Sequence, residues 1–131
     1  MIAVDTNILV RYVLLDDPKQ AKAAKSFMNG LTASEPAFVC REVLQELVWV
    51  LQRNPRFSRQ QVAAVVQSML ETEELVIEAA DRVAVAVSRY ASGGPGFADQ
   101  MILLAAKAAG APLATFDSDL ARQSGATPIE V

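Results

Sequence analysis

Met1-Ile2-Ala3-Val4-Asp5-Thr6-Asn7-Ile8-Leu9-Val10 opens the chain with an apolar run that stops at a carboxylate and then resumes with a different period. Ile2-Ala3-Val4 reads as a short buried strand, and Ile8 to Leu15 as a short helix. The same change of period recurs downstream. Ala37-Phe38-Val39-Cys40 predicts a second strand, Leu75-Val76-Ile77 a third and Leu113-Ala114-Thr115-Phe116 a fourth, with a short edge strand at Pro128-Ile129-Glu130. A helix started by Asp16-Asp17-Pro18 runs to about Asn29-Gly30, and another runs from Glu42 to Arg53, ended by Asn54-Pro55. Ser58 caps a helix from Arg59 to about Glu71. Further helices are expected over Asp81 to Tyr90 and Phe97 to Ala109, with one turn from Asp119 to Gln123. Short strands alternating with helices predict an α/β fold, a three-layer domain whose central parallel sheet is flanked by helices. No repeat or shift in composition divides the chain, so residues 1–131 read as a single domain.

With 52% hydrophobic and 21% charged residues, the composition is that of a compact globule rather than a disordered chain. Every apolar run is far shorter than the ~20 residues a membrane span requires. The first residues lack the basic segment of a secretory leader, so the expected compartment is the cytoplasm, with no membrane partner. The single cysteine, Cys40, excludes an internal disulfide and a thiolate metal cluster, and reads as a small buried residue of the second strand. Net charge is −3, unevenly spread: basic residues outnumber acidic ones over 1–65, and the reverse holds over 66–131. That balance permits a nucleic-acid partner without requiring one.

Four carboxylates stand where such a fold meets its ligands. Asp5 and Asp117 each follow a strand, and ligands of open α/β sheets bind outside the carboxyl ends of strands, where strand order reverses. Asp99 lies in the first turn after Gly93-Gly94-Pro95-Gly96. Glu46 interrupts the apolar pattern from Val43 to Leu51, a helix that leaves little surface for water. Each acid also has an ordinary structural explanation, as a helix cap, a turn residue or a partner of a helix dipole. Two carboxylates ~4 Å apart repel by ~4 kcal/mol at an effective dielectric of 20, so a pocket gathering three or four must take up protons or bind a cation. The chain has no histidine, and an all-oxygen donor set suits Mg²⁺ or Mn²⁺. Asp5, Asp99 and Asp117 are therefore the candidate metal ligands, and Glu46 completes the candidate catalytic set by orienting or deprotonating water or by holding a second ion. Thr6 and Thr115 flank the strand-end acids and could donate hydrogen bonds to a carboxylate or a phosphate.

Four stretches carry a resemblance in their order along the chain: Val4 to Tyr12, Val43 to Leu51, Phe97-Ala98-Asp99 with the helix after it, and Thr115-Phe116-Asp117-Ser118-Asp119. Together they resemble the PIN-domain nucleases, and specifically the VapC ribonuclease toxins of bacterial toxin–antitoxin pairs. The resemblance implies a parallel sheet with the first strand beside the last long one, which would bring Asp5 and Asp117 together. It carries metal-binding and catalytic roles onto Asp5, Glu46, Asp99 and Asp117. It further implies a homodimer that cleaves RNA endonucleolytically with Mg²⁺ or Mn²⁺ and is silenced by a cognate antitoxin protein. Gln100-Met101 departs from the pattern, where many relatives place a small residue and leucine, a change of packing more than of chemistry. Glu42 competes with Glu46 for the second acid, and Asp119 reads as a cap for the last helical turn. Arg53, Arg56 and Arg59 surround one turn, as a solvated basic loop or as phosphate contacts. The alternative to an enzyme is a PIN-like domain that only binds RNA or protein.

Overall fold

Parallel pairing organises the first part of the chain. The computed structural model describes all residues from Met1 to Val131, and its contacts divide into two compact units, Met1–Ala80 and Asp81–Val131. In the first unit the order is β1 (Ile2–Ala3), α1 (Thr6–Leu14), α2 (Pro18–Asn29), β2 (Ala37–Val39), α3 (Arg41–Gln52), α4 (Arg59–Leu70) and β3 (Leu75–Ile77). The three strands form one parallel sheet in the order β1-β2-β3, with Ile2 opposite Ala37 and Ala37 opposite Leu75. Parallel neighbours require a long crossover, and each crossover here is a pair of helices. The α/β reading with parallel strands flanked by helices holds.

Local chemistry explains the helix ends. Asp17 caps α2 by accepting the Gln20 N–H at 3.1 Å, with Pro18 in the first turn. Ser58 and Gln61 form a reciprocal capping box at the start of α4, at 3.1 and 2.7 Å. The core of this unit is built from Leu9 and Val10 of α1, Ala37 and Val39 of β2, Leu44, Leu47 and Leu51 of α3, and Val62 and Val66 of α4. Fully burying one such aliphatic side chain is worth about 1.5–3 kcal/mol, well above any single cap.

The second unit contains α5 (Ala80–Ser92), α6 (Phe97–Ala108), β4 (Leu113–Thr115), α7 (Ser118–Ala121) and β5 (Ala126–Pro128). Its core includes Val83, Val87 and Tyr90 of α5 and Phe97 and Met101 of α6, with the Tyr90 and Phe97 rings edge-to-face at 6.3 Å. β4 and β5 pair in parallel, Leu113 opposite Ala126. The last strand lies two residues earlier than the sequence predicts. Pro128, with no N–H to give, takes the final paired position, and Ile129 N–H closes the ladder onto the Thr115 carbonyl at 2.9 Å.

Within the first unit β1 has β2 as its hydrogen-bonded neighbour, and within the second β4 has β5. The order β1-β2-β3 also contains no reversal, which leaves the strand ends themselves to locate the site. None of the helices is long and apolar enough to cross a membrane.

Between α5 and α6, Gly93 (φ 114°) and Gly94 (φ 75°) hold left-handed backbone, and a Cβ at either would meet nothing within 4 Å. Any cost of adding one is therefore purely conformational. Gly94→Ala is expected to lower the unfolding free energy by about 1–2 kcal/mol in urea denaturation. Gly30→Ala, at φ −80°, should be neutral or slightly stabilising. Equal effects of the two substitutions would contradict the backbone assignment.

Candidate functional site

In a parallel sheet every strand ends at the same edge. Asp5, Cys40 and Glu78 accordingly follow β1, β2 and β3 at one edge of the first unit, fixed by Val4 N–H to Phe38 carbonyl (3.0 Å) and Glu78 N–H to Val39 carbonyl (2.9 Å). Asp5 is exposed and is the cap of α1: its backbone is extended, and its Oδ1 accepts the Thr6 N–H at 2.7 Å. The capping and functional readings are thus compatible, because one carboxylate oxygen serves the helix and Oδ2 makes no hydrogen bond.

Cys40 is half-buried rather than buried, and it stands at the start of α3 without capping it through its side chain. Glu78 performs that task. Its Oε1 accepts the Arg41 N–H at 2.8 Å and lies 3.5 Å from Arg41 Nε. A carboxylate there also opposes the positive end of the α3 dipole. Sequence reasoning passed over Glu78, although an acid directly after a strand is the same signal that picked out Asp5.

α3 corrects the expectation for Glu46. Leu44, Leu47, Val48 and Leu51 are buried on one face, whereas Glu42, Glu46, Trp49 and Arg53 are exposed. The apolar count misled because Trp49 lies off the buried stripe, and the 3.6-residue period leaves a complete polar face. Glu42 and Glu46 share that face, one turn apart, and neither carboxylate is in an ion pair.

In the second unit, Asp99 is half-buried in the first turn of α6, and no hydrogen bond or ion pair occupies its carboxylate. Gln100 beside it is only 2% exposed, and its Oε1 has no partner, a position that costs stability. Asp117 is exposed after β4 and caps α7, its Oδ1 accepting the N–H groups of Asp119 (2.9 Å) and Leu120 (3.0 Å). The Thr115 hydroxyl oxygen accepts the Asp117 N–H at 3.0 Å, which leaves its proton free to donate. Asp117 is therefore the cap of the last helix, not Asp119, which pairs with Arg122.

Asp5 and Glu46 belong to the first unit, Asp99 and Asp117 to the second. Within neither unit do three or more acids gather closely enough to enclose a metal ion. By donor type the four residues fit a hard divalent cation, since Mg²⁺ keeps several waters and takes only one or two carboxylates directly. Asp5 and Asp117 are suited to such a role because backbone N–H groups pin one oxygen of each.

The PIN domain family model matches residues 2–126, from β1 into β5 and so through both units. The chain belongs to the PIN domain family. No curated protein matches it closely enough to count as a relative. PIN domains are generally nucleases that use divalent metal ions, and the parallel strands flanked by helices agree with the PIN fold.

Glu78→Ala is expected to cost about 1 kcal/mol of unfolding free energy, as an N-terminal cap of α3 and a carboxylate at its dipole. Glu78→Gln, which keeps an acceptor oxygen, should cost less. Urea denaturation of both variants checks this; wild-type stability for Glu78→Ala would mean that water serves the Arg41 N–H equally well.

Proposed function

We propose that this PIN domain is a metal-dependent endoribonuclease of the VapC type, the toxin of a toxin–antitoxin pair, acting in the cytoplasm as a homodimer silenced by its cognate antitoxin. The observation that carries the reading is the PIN match over residues 2–126, with carboxylates after β1, on α3, in the first turn of α6 and after β4. In this reading Asp5, Asp99 and Asp117 hold Mg²⁺ or Mn²⁺, and Glu46 serves the attacking water. When bound, the cation supplies positive charge for the phosphoryl oxygens and lowers the pKa of coordinated water.

The chain's own residues do the remainder. Asp5 and Asp117 present oxygens whose orientation is set by the caps they make, so little entropy is lost when they engage a ligand. Glu46, exposed on α3, accepts a proton from water as the water oxygen bonds to phosphorus and the bond to the 3′ oxygen breaks, the 3′ oxygen leaving as an alcohol with a proton taken from solvent water. The Thr115 hydroxyl is free to donate to a phosphate oxygen.

A second reading, a PIN domain that binds RNA or protein without cutting, has one observation on its side: neither unit alone gathers three acids. Cleavage decides between them. The chain, freed of any co-purifying partner, is incubated with total RNA and Mn²⁺ or Mg²⁺ beside EDTA, Asp5→Asn and Asp99→Asn controls. Asparagine caps a helix as well as aspartate does, so Asp5→Asn removes charge and keeps α1 intact. Discrete fragments that disappear in all three controls are expected, with rates down by roughly 100-fold or more, since even outer-shell partners of metal ligands change activity 10–100-fold. Wild-type rates in both variants would overturn the mechanism, and RNA retention without cleavage would favour the binding module. Millimolar Mn²⁺ should also raise the melting temperature of the wild type by mass action.

A further inference from the structure

Trp49 is the only tryptophan in the chain, and it lies 55% exposed on α3. The guanidinium carbon of Arg53 sits over its ring, 4.3 Å from the centroid, a cation–π contact. Arg53 also lines a cleft of about 810 Å³ between the end of α1 and the turn from α3 to α4, together with Val13, Asp16, Arg56, Phe57 and Gln61. The single carboxylate of this lining, Asp16, already pairs with Arg11 at 2.9 Å. Neither Arg53 nor Arg56 is in an ion pair, so the cleft carries two uncompensated cations next to exposed aromatic surface.

That combination has a specific chemical complement. Single-stranded nucleic acids are held by cationic grooves that follow the phosphates and by aromatic rings on which bases stack. An acidic peptide would satisfy the arginines, but it would leave the exposed Trp49 ring without a flat partner. The position on α3 adds direction. Glu46, Trp49 and Arg53 follow one another at spacings of three and four, a single exposed stripe along the helix. From Glu46 to Arg53 the helix rises about 10.5 Å at 1.5 Å per residue. A strand laid along this stripe, with its reacting phosphate at Glu46, sets a flanking base at Trp49 and a further phosphate at Arg53 and Arg56.

We propose that Trp49, Arg53 and Arg56 form a binding surface for single-stranded RNA flanking the reacting phosphate: Trp49 stacks one base, and the two arginines hold the phosphates that follow. The proposal rests on the nuclease reading for the position of the reacting phosphate, and its test separates the two. Full-length chain in EDTA, which stops cleavage, is titrated with a short single-stranded RNA. Tryptophan fluorescence and the anisotropy of a labelled copy of the same RNA are followed in parallel.

Binding is expected to quench Trp49. Trp49→Ala should weaken binding roughly 5- to 100-fold, the usual range for one stacked base. Arg53→Ala and Arg56→Ala should each lower the slope of log affinity against log salt by about 0.7, one phosphate contact on a single strand. If RNA binds by anisotropy while Trp49 fluorescence stays constant and both arginine variants bind like wild type, this surface is wrong and the nuclease reading stands. If RNA binds by neither measure, both fall. Quenching by polyglutamate equal to that by RNA would overturn the assignment in favour of an acidic protein partner.

Discussion

The parallel ladder of β1, β2 and β3 is the constraint on which the first unit depends. Parallel strands cannot be joined by a tight turn, so each must be followed by helices that carry the chain back, and every strand finishes at one edge. Residues just beyond that edge have two demands on them. They must start a helix, and they are the ones presented to a ligand. Asp5 meets both with its two oxygens, one given to the Thr6 N–H and one left over. Glu78 meets the first from the end of β3: its Oε1 takes both the Arg41 N–H at the start of α3 and the approach of Arg41 Nε. Asp117 repeats the Asp5 arrangement after β4 in the second unit, with two N–H groups on one oxygen. A capping acid is therefore no argument against function: the cap occupies one oxygen and fixes the orientation of the carboxylate.

Most of the fold was legible because its signals are local. Periods of two and 3.6, prolines at helix starts and glycines at helix ends found every helix and strand, with bounds shifted by up to two residues and β3 at Leu75–Ile77 matched to the residue. What failed was what depends on three dimensions. Glu46 read as enclosed because the residues around it are apolar, but Trp49 turns away from the core and leaves that face open. Cys40 read as core from its strand, yet it stands at the junction with α3, half-buried. β5 shifted because a ladder is fixed by which carbonyl a given N–H reaches, and Pro128 tolerates the terminal position. The placement of Asp5 after β1, Glu46 on α3, Asp99 in the first turn of α6 and Asp117 after β4 was readable from the sequence. The role of Glu78 was not, since it rests on a contact with Arg41 across 37 positions of chain.

Glu42, Glu46, Trp49 and Arg53 show how one amphipathic helix can serve both stability and recognition. Its apolar side, Leu44, Leu47, Val48 and Leu51, is almost wholly buried and anchors the first unit. Its other side is free of any structural duty and carries acid, aromatic ring and cation in sequence. Substitutions there test function with little penalty in folding, whereas substitutions one position away test the core.

The central claim of the proposed function is that Asp5 and Asp117 are ligands of a divalent cation. Calorimetric titration with Mn²⁺ of wild type, Asp5→Asn and Asp117→Asn tests it most directly. Each substitution is expected to weaken Mn²⁺ binding, since each removes a charged oxygen donor. Mn²⁺ affinity untouched by either substitution would contradict it.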